Sequence, residues 1–147
     1  MIWMLRHGTA EAHASDDAAR RLTADGEAQS KAAGLALVAL GVSLDACLTS
    51  PKVRALDTAR IAAAELGVEV ETEDLLRGGD FDPAELAAGR GEVMLIGHEP
   101  DFSRAIQLAT GARVKLRKGG LAGIEGSKLH LLLEPAQLRA IAGLQRG

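Results

Sequence analysis

Two short runs of consecutive apolar residues narrow the folds open to this chain. Ile2-Trp3-Met4-Leu5 leads at once into Arg6-His7-Gly8, and Val93-Met94-Leu95-Ile96 leads at once into Gly97-His98. Four apolar residues without alternation read as a strand buried on both faces, the hallmark of a parallel sheet covered by helices, although periodicity alone does not separate such a strand from a buried helix segment. If both runs are parallel strands, Arg6, His7 and His98 emerge at the carboxyl edge of the sheet, where open α/β sheets bind their ligands.

The remaining sequence supplies helices between strands. Residues 9–22 form a polar loop expected to lie over that edge. Thr23 caps a helix whose stripe is expected at Ala28, Ala32, Leu35 and Ala39, stopped by Gly41. Residues 44–48 read as a second strand. Ser50-Pro51 then opens a helix, with Ser50 as cap and Pro51 at the first position. Its apolar stripe is Leu56, Ala59, Ala63 and Leu66, and Gly67 ends it. A third strand is expected over 68–70, an irregular connection over 72–82, a short helix over 83–88 and a turn at 89–91. After the second apolar run, Pro100-Asp101 starts a helix with Phe102, Ala105, Ile106 and Ala109 inward, ending near Gly111. Strands over 121–124 and 129–133 pair, and Pro135 starts a last helix carrying Leu138, Ile141, Ala142 and Leu144. The alternation predicts an α/β sandwich with a mostly parallel central sheet flanked by helices. With 147 residues, one domain over 1–147 is expected.

Composition excludes several functions. The net charge is -3 and aromatic residues are 2%, which leaves neither a global basic field nor stacking platforms, so nucleic acid is not an expected partner. No apolar run approaches the ~20 residues of a membrane span, so no membrane partner is expected. Cys47 is the only cysteine, which forbids an intramolecular disulfide and suits a reducing, cytoplasmic setting. In an apolar strand it reads as inert core.

Chemistry gathers at three strand ends: Arg6-His7, Ser50 with Arg54, and His98. Arg54 falls in the first turn of its helix and leans toward the helix N-terminus, where free N–H groups favour an anion. Two arginines at one mouth imply a phosphate or carboxylate, because the guanidinium fork pairs with two oxygens and stays charged. His7 is then the only obvious nucleophile, since neutral imidazole can attack phosphorus and form a phosphohistidine. His98, protonated beside a bound anion, would stabilise the transferring group. Ser50 reads as a cap rather than a nucleophile, as no Gly-x-Ser-x-Gly elbow surrounds it. A zinc site from His7, His13 and His98 is disfavoured, because the arginines repel a cation. The glycines at 119, 120, 123 and 126 match no nucleotide fingerprint.

Arg6-His7-Gly8, Ser50-Pro51-x-x-Arg54-Ala55-x-x-Thr58, Gly97-His98 and Arg20-x-Leu22-Thr23-x-x-Gly26, taken together and in order, resemble the histidine phosphatase superfamily (branch 1), and within it the short SixA-type phosphohistidine phosphatases. The resemblance implies a phosphoglycerate mutase-like three-layer sandwich and a phosphohistidine mechanism with no metal and no cofactor. It implies His7 as phosphoryl acceptor, Arg6, Arg54 and His98 with Gly8 as the phosphate pocket, and Arg20 as a further arginine near it. The partner is then a phosphorylated protein or a small phosphorylated substrate. Many superfamily members add a carboxylate proton donor; Glu11, Asp80 and Glu99 are the candidates, none within a matching motif. A phosphoramidate needs less acid help than an ester, which leans toward phosphohistidine. The chain is also short beside mutase-type relatives that insert helices as a lid, so an open site is expected. A small-ester phosphatase and a phosphate-binding module without turnover remain the alternatives.

Overall fold

Strands that must hide both faces need helices on both sides, and the chain supplies them in alternation. A computed structural model describes residues 1–144. In chain order it contains β1 (Ile2–Arg6), α1 (Ala24–Ala39), β2 (Ala46–Thr49), α2 (Val53–Leu66), β3 (Val70–Thr72), α3 (Pro83–Ala87), β4 (Val93–Gly97), α4 (Asp101–Thr110), β5 (Leu121–Glu125), β6 (Lys128–Leu133) and α5 (Pro135–Ile141). Single 3-10 turns occupy Asp17–Ala19 and Asp74–Leu76. The six strands form one mixed sheet in the order β3-β2-β4-β1-β5-β6. β3, β2, β4 and β1 are parallel, while β5 and β6 add an antiparallel pair beside β1.

Alternation along each strand divides the core in two. Trp3, Leu5, Cys47, Met94 and Ile96 face the layer of α1, α2 and α5, with Ala33, Leu37, Ala59, Ala63 and Leu138. Met4, Leu48, Val93 and Leu95 face the opposite layer, where Phe102, Ala105 and Ile106 of α4 meet Leu86 of α3. The result is the expected three-layer α/β sandwich. Central β4 is buried at all five positions, which is why its sequence shows no alternation.

Three local expectations need correction. In α1, Ala28 and Ala39 are exposed, and the buried positions are Gly26, Ser30, Ala32, Ala33, Gly34, Ala36 and Leu37. The inward face is chosen by smallness rather than apolarity: a Cβ on Gly34 would lie 2.7 Å from the Ala62 carbonyl of α2, so only small residues let the two helices approach. β2 and β3 begin two residues later than expected, because Leu44 and Val68 already pack on the core before the ladder starts. Finally, α2 starts at Val53 with Lys52 as its cap residue, so Ser50 does not cap it.

Candidate active site

The strand order makes neighbours of residues far apart in sequence. β2, β4 and β1 are adjacent and parallel, with Thr49 opposite Ile96, and Leu5 opposite Ile96 from the other side. One residue further on, Ser50, Gly97 and Arg6 stand in a row at the carboxyl edge, and His98 and His7 follow. The two imidazole centroids are 5.2 Å apart.

Backbone contacts fix the loop that carries His7. Its N–H donates to the Gly97 carbonyl at 3.1 Å, and the Gly8 N–H donates to Thr58 Oγ1 at 3.0 Å. The Thr58 hydroxyl donates in turn to the Arg54 carbonyl at 2.8 Å, tying the loop to α2. Gly8 is required on steric grounds, since a Cβ would sit 2.6 Å from the Gly26 carbonyl, and Gly26 leaves no more room against Thr9. The Thr23 side chain caps α1 through the Gly26 N–H at 3.1 Å and donates to the Thr9 carbonyl at 3.2 Å. The residues from Arg20 to Gly26 thus fold the 9–22 loop back on itself.

The His7 ring has one assignable tautomer. Nδ1 lies 2.7 Å from the Gly8 carbonyl, which can only accept, so Nδ1 carries the proton and a neutral ring leaves Nε2 as a lone pair. Burial, assisted by the charges of Arg54, Arg6 and Lys118 and opposed by the Gly8 bond, pushes the pKa down to about 4. His98 goes to about 3, through burial first and then His7, Arg54, Lys52 and Arg6. Both rings are therefore neutral at pH 7. The positive charge expected on His98 must come with a bound anion, which would raise its pKa. His98 Nε2 is 2.8 Å from Ser50 Oγ, and that oxygen accepts from the Lys52 N–H at 3.2 Å. Ser50 orients His98 and turns the chain into α2.

Arg54, only 6% exposed, donates through one nitrogen to the Asp17 carbonyl at 3.0 Å and lies 3.4 Å from the Asp17 carboxylate through the other. Arg20 grips the same carboxylate at 3.0 Å and the Glu11 carbonyl at 3.1 Å. Asp17 thereby links Arg20 to the group. Arg54 above all, aided by Arg20, holds the Asp17 carboxyl below its usual range. Arg6 donates to the Leu116 carbonyl at 2.8 Å; burial lowers its pKa and Glu99 opposes that. Among the described residues, four buried side-chain polar atoms lack a partner, and three of them are Arg6 Nε, Arg54 Nε and His98 Nδ1. Unpaired buried polar groups are costly, and here they cluster where an anion would satisfy donors.

The candidate carboxylates are placed differently. Glu11 is exposed and accepts from the Arg21 N–H at 3.3 Å, and Asp80 pairs with Arg104 at 3.1 Å. Glu99 is engaged by the Ser103 N–H at 2.7 Å, by the Ser103 hydroxyl and by the Leu116 N–H at 3.1 Å. Sequence reading did not single out Asp17 as Arg54's partner; only its location in the acidic loop before Arg20 pointed to it. The roles of Thr58 and Lys118 were missed as well, though Thr58 stood in the motif. His13 is exposed in the loop, His130 lies in β6 near Glu125 at 3.5 Å, and Cys47 is buried, its thiol pushed up to about 12 by desolvation. Among the described residues no three His, Cys, Asp or Glu side chains are grouped to hold a metal ion. No helix among them is long and apolar enough to cross a membrane.

A family description of the histidine phosphatase superfamily (branch 1) matches residues 2–108. An uncharacterized protein of Picosynechococcus sp. is 35% identical over 144 residues, covering 88% of this chain and 87% of its own. The protein histidine phosphatase SixA, solved with tungstate, superposes with a TM-score of 0.82 at 20% identity, covering 93% of this chain and 98% of its own. A candidate α-ribazole-5'-P phosphatase of Escherichia coli gives 0.71 at 18% identity, with 91% and 96% covered.

Proposed function

This chain belongs to the histidine phosphatase superfamily (branch 1), and from that premise we propose that it removes phosphate from phosphohistidine on a protein, through a phosphohistidine intermediate on His7. The reading rests on one observation above all: a neutral imidazole whose Nδ1 proton is held by the Gly8 carbonyl, so that Nε2 keeps its lone pair, set among unpaired cationic donors.

In the first step Nε2 of His7 attacks phosphorus. A new N–P bond forms as the N–P bond to the substrate imidazole breaks, and the leaving nitrogen takes a proton from solvent water. Water then attacks the phosphohistidine, releasing inorganic phosphate and returning the pair of electrons to Nε2. Arg6 and Arg54 bind the equatorial oxygens, with Arg20 beside them, and His98 adds a donor that strengthens as the bound anion raises its pKa. None of this needs a metal, because the guanidinium groups supply the charge. The carboxylates near the site are committed to other partners or, like Asp17, held in the charged form. That suits a phosphoramidate, whose leaving group asks little of a general acid. The fold likeness to the α-ribazole-5'-P phosphatase favours a second reading, a small phosphate ester as substrate.

The deciding comparison is turnover of a phosphohistidine-bearing protein against a panel of small phosphate monoesters, by wild type and His7→Ala. The phosphoprotein is expected to be preferred at least ~10-fold and His7→Ala to lose roughly 1,000-fold or more. Preference for an ester replaces the substrate assignment, and full activity in His7→Ala rejects the mechanism. Phosphate binding without turnover in wild type leaves a binding module.

A further inference from the structure

Positive charge is concentrated in the segment between α4 and β5. Arg113, Lys115, Arg117 and Lys118 are four of the chain's 17 lysines and arginines, within six residues that hold no acid, in a chain of net charge -3. All four are exposed, whereas Leu116 between them is buried. The segment has no regular structure, yet it is pinned. The Leu116 N–H donates to Glu99 at 3.1 Å, its carbonyl accepts from Arg6 at 2.8 Å, and the Gly119 N–H donates to the His7 carbonyl at 3.0 Å. The same residues that build the phosphate pocket therefore hold a cationic strip at its rim.

Beside the strip runs an open groove of about 630 Å³, lined by Arg6, Gln29, Lys115, Arg117, Lys118 and Glu134 among others. Arg6 belongs to both groove and phosphate pocket, and the Lys118 charge reaches His7. Glu134 is the single acid in the lining, 3.6 Å from Arg117, with both side chains more than half exposed. Such a pair is weak and readily exchanged.

We infer that this groove receives the carboxylates of an acidic polypeptide segment that flanks the phosphorylated residue. The inference rests on the phosphatase reading and names its substrate class. A small molecule's second phosphate would call for buried, convergent donors; exposed cations spread along a strip instead give electrostatic docking to an extended chain, with a bound carboxylate replacing Glu134 on Arg117. Nucleic acid fits less well, because no aromatic side chain lines the groove to stack a base.

The test uses two phosphohistidine peptides of equal length, flanked by glutamates or by glutamines. Wild type is expected to favour the glutamate peptide by roughly tenfold in kcat/KM at ~20 mM salt, through KM, and by no more than about twofold at ~500 mM. Lys115→Ala/Arg117→Ala should bring the low-salt ratio to about two, while Glu134→Gln, which frees Arg117, should raise it. A wild-type ratio near one, or a ratio the double variant leaves unchanged, overturns the inference, as does tighter binding of a single-stranded oligonucleotide than of the unphosphorylated glutamate peptide. If neither phosphopeptide is turned over, the phosphohistidine assignment fails on its own; the docking surface still stands if the unphosphorylated glutamate peptide binds wild type more tightly than its glutamine counterpart and the double variant loses that difference, and falls if it does not.

Discussion

Acidification should destabilise this protein through the two site histidines. Both are nearly buried, and their pKa values of about 4 and about 3 lie below the ordinary 6.5. Below pH 6.5 the unfolded chain therefore binds protons that the folded chain refuses, so stability falls as pH falls, down to about pH 4 for His7 and about 3 for His98. Integrating from pH 7 to pH 4.5, each histidine should withdraw roughly 2–3 kcal/mol. Repulsion between the two rings only hinders proton uptake by the folded site, so the contributions add to about 5 kcal/mol, a large part of a domain's stability. The comparison variant is His7→Asn/His98→Gln. The asparagine side chain would keep a donor for the Gly8 carbonyl, and the glutamine would keep a polar atom near Ser50, while neither titrates. Urea unfolding at pH 7, 6, 5 and 4.5 provides the readout, and protonation of exposed carboxylates cancels between the two proteins. Wild type should lose about 4–5 kcal/mol more than the variant across that range. Equal pH slopes, or a wild type that gains stability on acidification, would refute the claim that these rings are held neutral by burial.

Three further outcomes follow from the geometry. Gly26→Ala places a Cβ 2.1 Å from the Thr9 carbonyl, backbone against backbone, so denaturant melts should show a loss of roughly 2–3 kcal/mol; a loss below ~0.5 would mean the loop moves freely. Asp17→Asn removes the carboxylate that competes for Arg54 and Arg20, so inorganic phosphate should inhibit a few-fold more strongly, and weaker inhibition would mean that Asp17 organises the arginines rather than occupying them. Ser50→Ala strips His98 Nε2 of its partner and should lower kcat about tenfold with KM little changed; a change confined to KM would assign Ser50 to substrate binding.

The layer architecture was legible because strands buried on both faces must be apolar at every position, as 2–5 and 93–96 are. The ends of those strands were legible too, since Arg6, His7 and His98 interrupt such runs abruptly. Helix phasing was legible in α2 and α4, where Ala59, Ala63, Phe102, Ala105 and Ile106 are buried, but not in α1. In α1 the inward face is set by the need for closeness at Gly26 and Gly34, and of the stripe through Ala28, Ala32, Leu35 and Ala39 only Ala32 is buried. Ser50 illustrates a second limit: serine before proline suits a helix cap by local chemistry, but a histidine 48 residues away claims the same oxygen. The Asp17–Arg54 contact spans 37 residues and depends on how the 9–22 loop closes, which no local pattern encodes. The cations of residues 113–118 went unread in a chain of net charge -3, and it is the clamp of Leu116 between Arg6 and Glu99 that brings them to the site.

The central claim is that His7 itself carries the phosphoryl group. Rapid quench of wild type with ³²P-labelled phosphohistidine protein, followed by peptide mapping, tests it most directly. An acid-labile, alkali-stable label is expected, confined to the peptide containing His7 and absent in His7→Ala. Turnover with no label on His7, or the label on another residue, would contradict it.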